Sequence, residues 1–454
     1  AILFDEFDYE MADEYISNSS ILKIPVSNLV ENVGMIAARF YGEPSQFLNV
    51  IGITGTNGKT TVTTLLFQIF EKVGRESGLI GTVQTRIGSE QIKSDRTTPE
   101  AADLQALAAS MRERHMRHLV MEVSSHSLDL KRMVGTHFAM VGFTNLTQDH
   151  LDYHGSMAEY AEAKAKLFQQ SGLKHAVINL DDAFGRELAM NLLAKNDLKV
   201  WAYALSPSVF EGFEKFGDRL HRIYAKETAL SGAGYDSTFV YDNVGSAQLH
   251  IPLLGEFNLS NALAVWAVLL AQGMSCELAA QKVSQLNPVL GRMELIQIGK
   301  SQKAESLLAV VDYAHTPDAL EKTLQALRPI ADQRGGNIWC VFGCGGDRDA
   351  GKRSLMGAVA ERYADQILIT SDNPRSEDPQ AIMQMIRGGL KADATNVQMI
   401  ADRAAAIMAA VRHANARDIV LVAGKGHETT QEINGKKFDF SDQEHIRLAA
   451  GGGI

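Results

Sequence analysis

The chain has 454 residues, 45% of them hydrophobic and 22% charged, the balance of packed globular domains, and its length sets an expectation of about three of them. A formal net charge of −10 argues against a nucleic-acid or anionic-membrane surface as the main partner, because both need a basic footprint. No apolar run approaches the ~20 residues of a membrane span, and no export signal is visible, so a cytoplasmic setting is expected.

Residues 1–46 form an acidic opening (Asp5, Glu6, Asp8, Glu10, Asp13, Glu14) followed by a helix ending near Tyr41, too small to hold a core of its own. From 47 to about 288, strand-like runs at 47–53, 118–123, 139–144 and 175–180 alternate with helical runs at 60–73, 100–113 and 157–170. That alternation predicts a parallel α/β sheet with crossover helices. Short β segments follow at 200–204, 237–241 and 249–254, then helices at 259–272 and 277–286. A second α/β set has strands at 307–312, 338–343, 366–371, 396–400 and 418–423, which divides the chain into 1–46, 47–288 and 289–454. Cys276, Cys340 and Cys344 fit a reducing compartment, and without a matching His or Cys pair they are a weak metal signal.

The stretch Val50-Ile-Gly-Ile-Thr-Gly-Thr-Asn-Gly-Lys-Thr-Thr61 is an apolar strand that breaks into a glycine-rich turn and opens a helix. Gly55 and Gly58 let the backbone turn tightly, so that its N–H groups face an anion at the helix N-terminus. Lys59 would reach the terminal phosphates and the Thr60 hydroxyl would hold Mg²⁺. Gly74 is the expected C-cap of that helix. Position 53, where the general P-loop pattern wants glycine, is Ile53.

Ligands of open α/β sheets sit beyond the carboxyl ends of the strands, which makes the polar residues there informative. Glu122, in Met121-Glu-Val-Ser-Ser-His126, is placed like the carboxylate that holds Mg²⁺ opposite a P-loop. Ser124, Ser125 and His126 are too close together to form a triad, so polar substrate contacts are the better reading. His150 and His154, in the run 144–154, are either metal-associated or hydrogen-bonded loop residues. In the last third, strand ends carry Asp312-Tyr-Ala-His-Thr316, Gly343-Cys-Gly-Gly-Asp-Arg-Asp349, Ser371-Asp-Asn-Pro-Arg375 and Gly424-Lys-Gly-His-Glu428. Arg348 and Arg375 offer forks for carboxylates, while Asp372 and Glu428 could hold an ammonium; a ligand with both charges is an amino acid.

The ordered motifs GTNGKTT, EVSSH, NLTQDHLDYHG, EFNLSN, GRME, DYAHTP, GCGGDRD, DNPR and AGKGHE resemble those of the Mur ligase family from about residue 47 to about 445. The resemblance implies three domains: an N-terminal UDP-binding one, here partial because only about 46 residues precede the P-loop strand, a central P-loop ATPase, and a Rossmann-like C-terminal domain that brings the amino acid. It implies ATP and Mg²⁺ on Gly55, Thr56, Asn57, Gly58, Lys59, Thr60, Thr61 and Glu122, with Asn145, His150, Asn258, Asn261, Arg292, Asp312 and Tyr313 around the nucleotide. The family's carbamylated lysine falls on Lys164 rather than Lys166, giving an anion able to ligate a second Mg²⁺; Thr60, Glu122, His150 and Lys164 are the implied metal set. Thr97, Thr98, Ser124 and Arg132 match positions that hold UDP-N-acetylmuramoyl-L-Ala-D-Glu, while Leu130 stands where some members use glutamine. Asp372, Asn373, Pro374 and Arg375, with Arg348, Gly424 and Glu428, go with meso-diaminopimelate, since Arg375 can pair with the distal carboxylate that lysine lacks.

The expected reaction is phosphorylation of the D-glutamate carboxylate by ATP and attack of the diaminopimelate amine on the acyl phosphate, with Lys59, Glu122, His150 and Lys164 as catalytic groups. Domain closure is expected, as is a monomer. The rivals are a lysine-adding ligase, a folylpolyglutamate synthetase, against which DNPR and EVSSH count, and a P-loop switch or ATPase that forms no bond.

Overall fold

The computed structural model describes residues 2–6, 22–92, 96–195, 198–232, 234–296, 298 and 307–451; Asp8, Glu10, Asp13 and Glu14 of the acidic opening lie outside them. The apolar runs become buried strands. His118–Glu122 and Met140–Phe143 are buried at every position, and Asn49–Thr54 from its second residue on. Strands hidden on both faces are what a parallel sheet covered by helices requires. Glu122 is the exception in charge, a carboxylate closing a buried strand whose middle residues, Leu119 to Met121, are apolar.

The sheet has eleven strands in the order Gly245–Ile251, Gly234–Tyr241, Leu220–Ser231, Lys199–Ala204, His175–Asn179, Met140–Phe143, Asn49–Thr54, His118–Glu122, Ser77–Ile80, Thr85–Ile87 and Glu90–Ile92. Asn49–Thr54 lies between two parallel neighbours that both come later in the chain, so the loop after it opens between carboxyl ends of strands. The helix Lys59–Lys72 follows that loop and buries ten of its fourteen residues. Gly74, just past its end, takes φ +69°, a left-handed value suited to glycine. Helix Met157–Ala165 is shorter than expected and passes into a tighter turn, Lys166–Gln169. The strands Ser77–Ile80, Thr85–Ile87, Glu90–Ile92 and Leu220–Ser231 were not legible, being either three or four residues long or rich in Lys, Glu and Arg.

The later sheet has the order Glu294–Ile296, Leu308–Asp312, Ile419–Ala423, Ile338–Phe342, Gln366–Ile369 and Val397–Met399, with only the first strand antiparallel to its neighbour. Helices Pro317–Arg334, Gly351–Tyr363, Pro379–Arg387, Arg403–His413 and Asp442–Ala449 accompany it, with separate apolar clusters around Leu324 and Phe342 and around Val341 and Ile407. A hairpin, Thr430–Ile433 with Lys436–Asp439, stands apart from that sheet. The chain divides into two compact units, one of Ala1–Thr228, Ser237–Leu249 and Ser260–Leu286, the other of Ala229–Asp236, His250–Leu259 and Asn287–Ile454. Near the start, Ile2–Asp5 pairs in parallel with Lys23–Val26, and the helix Leu29–Phe40 follows.

Candidate functional site

In the first unit the turn after Asn49–Thr54 is shaped by what surrounds its glycines. Gly55 and Gly58 have φ of +145° and +87°. A side chain at Gly55 would run into the Thr144 hydroxyl, and one at Gly58 would lie 2.6 Å from Asn261 Oδ1. Only glycine fits both places. Segment 144–147 braces the turn: Thr56 N donates to Asn145 O at 2.8 Å, Asn57 N to Asn145 Oδ1 at 2.9 Å, and the Thr56 hydroxyl to Thr147 O at 3.2 Å. Lys59 Nζ folds back onto the carbonyls of Gly55 and Thr56, each at 2.9 Å. Thr60 and Thr61 are buried, and the Thr60 hydroxyl donates to Glu122 Oε2 at 2.9 Å.

Glu122 is fully buried and also accepts from Thr82, through its N–H at 2.7 Å and its hydroxyl at 3.1 Å. A hydroxyl facing a buried carboxylate beside an anion cradle is an oxygen set that suits a hard divalent cation bridging to phosphate, so these residues fit Mg²⁺. The same cluster orders Thr97, whose hydroxyl lies 3.0 Å from that of Thr82, and Thr98, whose hydroxyl donates to Glu122 O at 2.9 Å and accepts from Ser124 N at 3.2 Å. Ser124 caps the short helix Ser125–Asp129, and Arg132 spans Thr98 O at 3.3 Å and Glu100 at 2.9 Å. Thr82, two residues past the strand Ser77–Ile80, escaped the sequence reading because that strand did.

Lys164 is buried, and its Nζ donates to Gly55 O at 2.9 Å while lying 4.2 Å from the centre of the Tyr160 ring. Burial first, and the Lys59 cation second, hold its pKa well below the usual lysine range. Lys166 instead pairs with Asp129 at the surface at 2.8 Å. The structure brings His150 close to His126, their rings 4.8 Å apart, and holds His150 at φ +54°. Desolvation lowers the His150 pKa, leaving it neutral near pH 7, against the pull of Asp149. His154 takes the hydrogen-bonded role: its Nε2 is 2.9 Å from Ser125 Oγ.

In the second unit Asn258 is buried and donates to Leu254 O at 2.8 Å. Asp312 accepts from Met293 N at 2.7 Å and Ala314 N at 2.9 Å, and burial raises its pKa despite Arg292. The Arg292 guanidinium lies 4.5 Å from the centre of the Tyr313 ring. Burial holds His427, whose ring centre lies 5.3 Å from that of Tyr313, down to about 4.

Three strand-end loops of this unit converge. A Cβ at Gly345 would sit 3.0 Å from Arg375 Nη1 and 3.7 Å from Arg348 Cγ, so the two arginines flank one glycine. Arg375, at φ +51°, donates to Gly346 O at 2.6 Å and lies 3.6 Å from Glu432. The hairpin holds it there: Arg375 N donates to Glu432 O at 3.1 Å, and Asn434 N to Arg375 O at 2.7 Å. Pro374, which is buried, accepts from Glu377 N at 3.0 Å. Gly424, at φ +112°, leaves room for Asp372, whose Oδ2 would be 3.2 Å from a Cβ there. Asn373 Nδ2 donates to Glu428 Oε2 at 2.8 Å. Two supports were missed. Arg353, 1% exposed, forks onto Glu377 with two 2.8 Å contacts and reaches Gly345 O at 3.2 Å, stapling two loops. Lys425, 0% exposed, sits under Glu428; a lysine between two glycines at a strand end was the available signal.

A glycine cradle, its lysine and threonine, and a buried carboxylate facing them define a P-loop nucleotide-binding α/β protein, with a second α/β unit whose crest carries both signs of charge. Comparison with known proteins narrows this. The Mur ligase middle domain matches residues 53–269, and the family described as Mur ligase, glutamate ligase domain, matches residues 291–426. The chain is 47% identical to the UDP-N-acetylmuramoyl-L-alanyl-D-glutamate--2,6-diaminopimelate ligase of Ralstonia nicotianae, over 94% of this chain and 80% of that protein. A solved structure of a ligase of the same name aligns with TM-score 0.67 and 34% identity, over 94% of this chain and 84% of its own. The folylpolyglutamate synthase of Mycobacterium tuberculosis shares the fold, with TM-score 0.65 over 87% of this chain and 92% of that one, at 18% identity. The chain belongs to the Mur ligase family.

Proposed function

We infer that this chain is an ATP-dependent ligase that joins meso-diaminopimelate to the D-glutamate of UDP-N-acetylmuramoyl-L-alanyl-D-glutamate, in cytoplasmic synthesis of peptidoglycan precursors. The observation that carries the reading is the pair Arg348 and Arg375 around Gly345, on converging loops that also carry Asp372 and, through Asn373, Glu428, in a chain 47% identical to a ligase of that name. Arginine forks suit carboxylates and the acids suit an ammonium, so the crest fits a zwitterion with a second carboxylate.

The chemistry assigned to the first unit is phosphoryl transfer. Lys59, now on two carbonyls, turns its ammonium to the phosphate oxygens of ATP, while the N–H groups of Gly58 to Thr61 are assigned to the cradle and those of Thr56 and Asn57 stay on Asn145. Thr60 and Glu122, with His150 as a neutral imidazole, would hold Mg²⁺, which when bound neutralises charge on the phosphates. Thr97, Thr98, Ser124 and Arg132 orient the dipeptide so that its D-glutamate carboxylate oxygen attacks the γ-phosphorus and ADP departs. The free amine of diaminopimelate then attacks the acyl carbon, phosphate leaves, and the amine's extra proton goes to solvent or buffer. Lys164 belongs to the same site as a carbamate: its depressed pKa supplies the neutral amine that adds CO₂ and releases a proton, replacing a cation by an anion. Asn145, Asn258, Asn261, Arg292, Asp312 and Tyr313 are assigned to the nucleotide.

The deciding experiment is phosphate release from ATP and Mg²⁺ with the UDP-linked dipeptide, comparing meso-diaminopimelate, L-lysine and no amine. Release that requires diaminopimelate is expected. Release with lysine would retain the family and overturn the role of Arg375, and amine-independent release would overturn the ligase reading.

A further inference from the structure

We propose that Lys425 is a positioning residue for the amino-acid substrate: a buried ammonium that locks Glu428 and Asn373 so that one oxygen of Glu428 faces a substrate ammonium. The idea rests on the reading of this crest as the diaminopimelate site.

A lysine with 0% exposure is rare, because burying an uncompensated ammonium is very unfavourable. Here its three protons meet Glu428 Oε2 at 2.9 Å, Asn373 Oδ1 at 3.0 Å and, as an ion pair, Asp372 Oδ1 at 3.6 Å. Asp372 Oδ1 is itself buried and has no hydrogen-bond partner, so Lys425 is the cation that compensates it. Asn373 is fixed from both ends. Its Oδ1 also accepts from Glu432 N at 3.0 Å and its Nδ2 donates to Glu428 Oε2 at 2.8 Å, so a flipped amide would set donors against donors. Glu428 Oε2 thus takes two donors, and Glu428 N is tied to Lys425 O at 3.0 Å. The side chain is pinned through one oxygen, which leaves Oε1 as its directional acceptor.

Charge and geometry make opposite predictions for this lysine. One cation against the two carboxylates Asp372 and Glu428 leaves a single negative charge, which one substrate ammonium would neutralise. If Lys425 only balanced charge, removing it would make the pocket more anionic and tighten an ammonium. If it positions Glu428, removal frees the carboxylate to rotate, and binding weakens despite the greater negative charge.

The test is steady-state kinetics of Lys425→Met and Asn373→Ala beside the wild-type protein, with melting and circular dichroism to establish folding. For Lys425→Met the KM for diaminopimelate should rise about tenfold or more, with the KM values for ATP and the UDP-linked dipeptide within about twofold of wild type. Asn373→Ala should raise the same KM about threefold or more, and the double variant should be little worse than Lys425→Met alone, as expected of one network. A folded Lys425→Met with an unchanged or lower KM for diaminopimelate overturns the proposal. If Lys425→Met does not fold, Asn373→Ala decides, and an unchanged KM there overturns it. Wild-type protein that shows no diaminopimelate-dependent release overturns the functional reading instead, whereas a normal wild type with indifferent variants overturns only the role of Lys425.

Discussion

The two crests handle charge differently. In the first unit the Lys59 ammonium rests on neutral carbonyl oxygens and shares that of Gly55 with the Lys164 amine, while Glu122, the one buried carboxylate among the described residues of this unit, is satisfied by hydroxyls and an N–H. In the second unit four cations already face carboxylates: Arg375 with Glu432, Arg353 with Glu377, Lys425 with Glu428 and Asp372, and Arg403 with Asp442, this last pair 0% exposed on both sides. An ammonium held by carbonyls can exchange those neutral acceptors for the oxygens of a polyanion, which suits the triphosphate site proposed above. Paired charges hold loops in fixed geometry, which suits a site that must read both signs on one small molecule.

That contrast can be broken most severely at Lys59. Lys59→Ala should lower phosphate release about a thousandfold while leaving the melting temperature near that of wild type, since the lysine's folded-state partners are carbonyls. Lys164→Met comes next, with a loss of about a hundredfold; wild-type protein in CO₂-free buffer should lose activity and regain it with bicarbonate, and the variant should not respond. In the other crest, Arg375→Ala should raise the KM for diaminopimelate about thirtyfold, by removing a charge-assisted pair, and should narrow the preference over L-lysine. The smallest effect is on stability. The Arg353 fork holds the Glu377 carboxyl down to about 2 from an ordinary 4.5, so the stability it lends is complete above 4.5 and is lost as pH falls through its folded value. Glu377→Gln should lower the melting temperature by about 2 to 4 °C at neutral pH, a difference that shrinks as the pH drops from 4.5 towards 2.

Most parallel strands of both sheets and the glycine cradle were legible because burial on two faces writes continuous apolar runs, and because Gly55 and Gly58 leave a fixed spacing before Lys59; Ser77–Ile80 and Leu220–Ser231, also paired in parallel, were not. Glu122 was legible as a carboxylate where a strand should still be apolar. The short edge strands were not, since Thr85–Ile87 and Glu90–Ile92 offer three residues each to a periodicity that needs more. The surroundings of His150 and His154 were visible only in three dimensions: His154 is turned to Ser125, while His150 lies against His126. The supports beneath the recognition loops stayed hidden for a similar reason. Arg353 and Glu377 are 24 positions apart, and nothing local marks an arginine in a helix as the fork that will be buried.

The backbone of Arg375 is strapped to the hairpin through Glu432 and Asn434, in a left-handed conformation that an arginine does not choose unaided. With this crest as the amino-acid site proposed above, specificity is modular at the scale of a loop with its strap, and not of a tetrapeptide. A transplant of Asp372-Asn-Pro-Arg375 into a relative would carry the side chains and leave behind the carbonyl and N–H that aim them. Re-engineering or evolutionary exchange of the amino acid accepted here should succeed only when residues 430–439 travel with the tetrad.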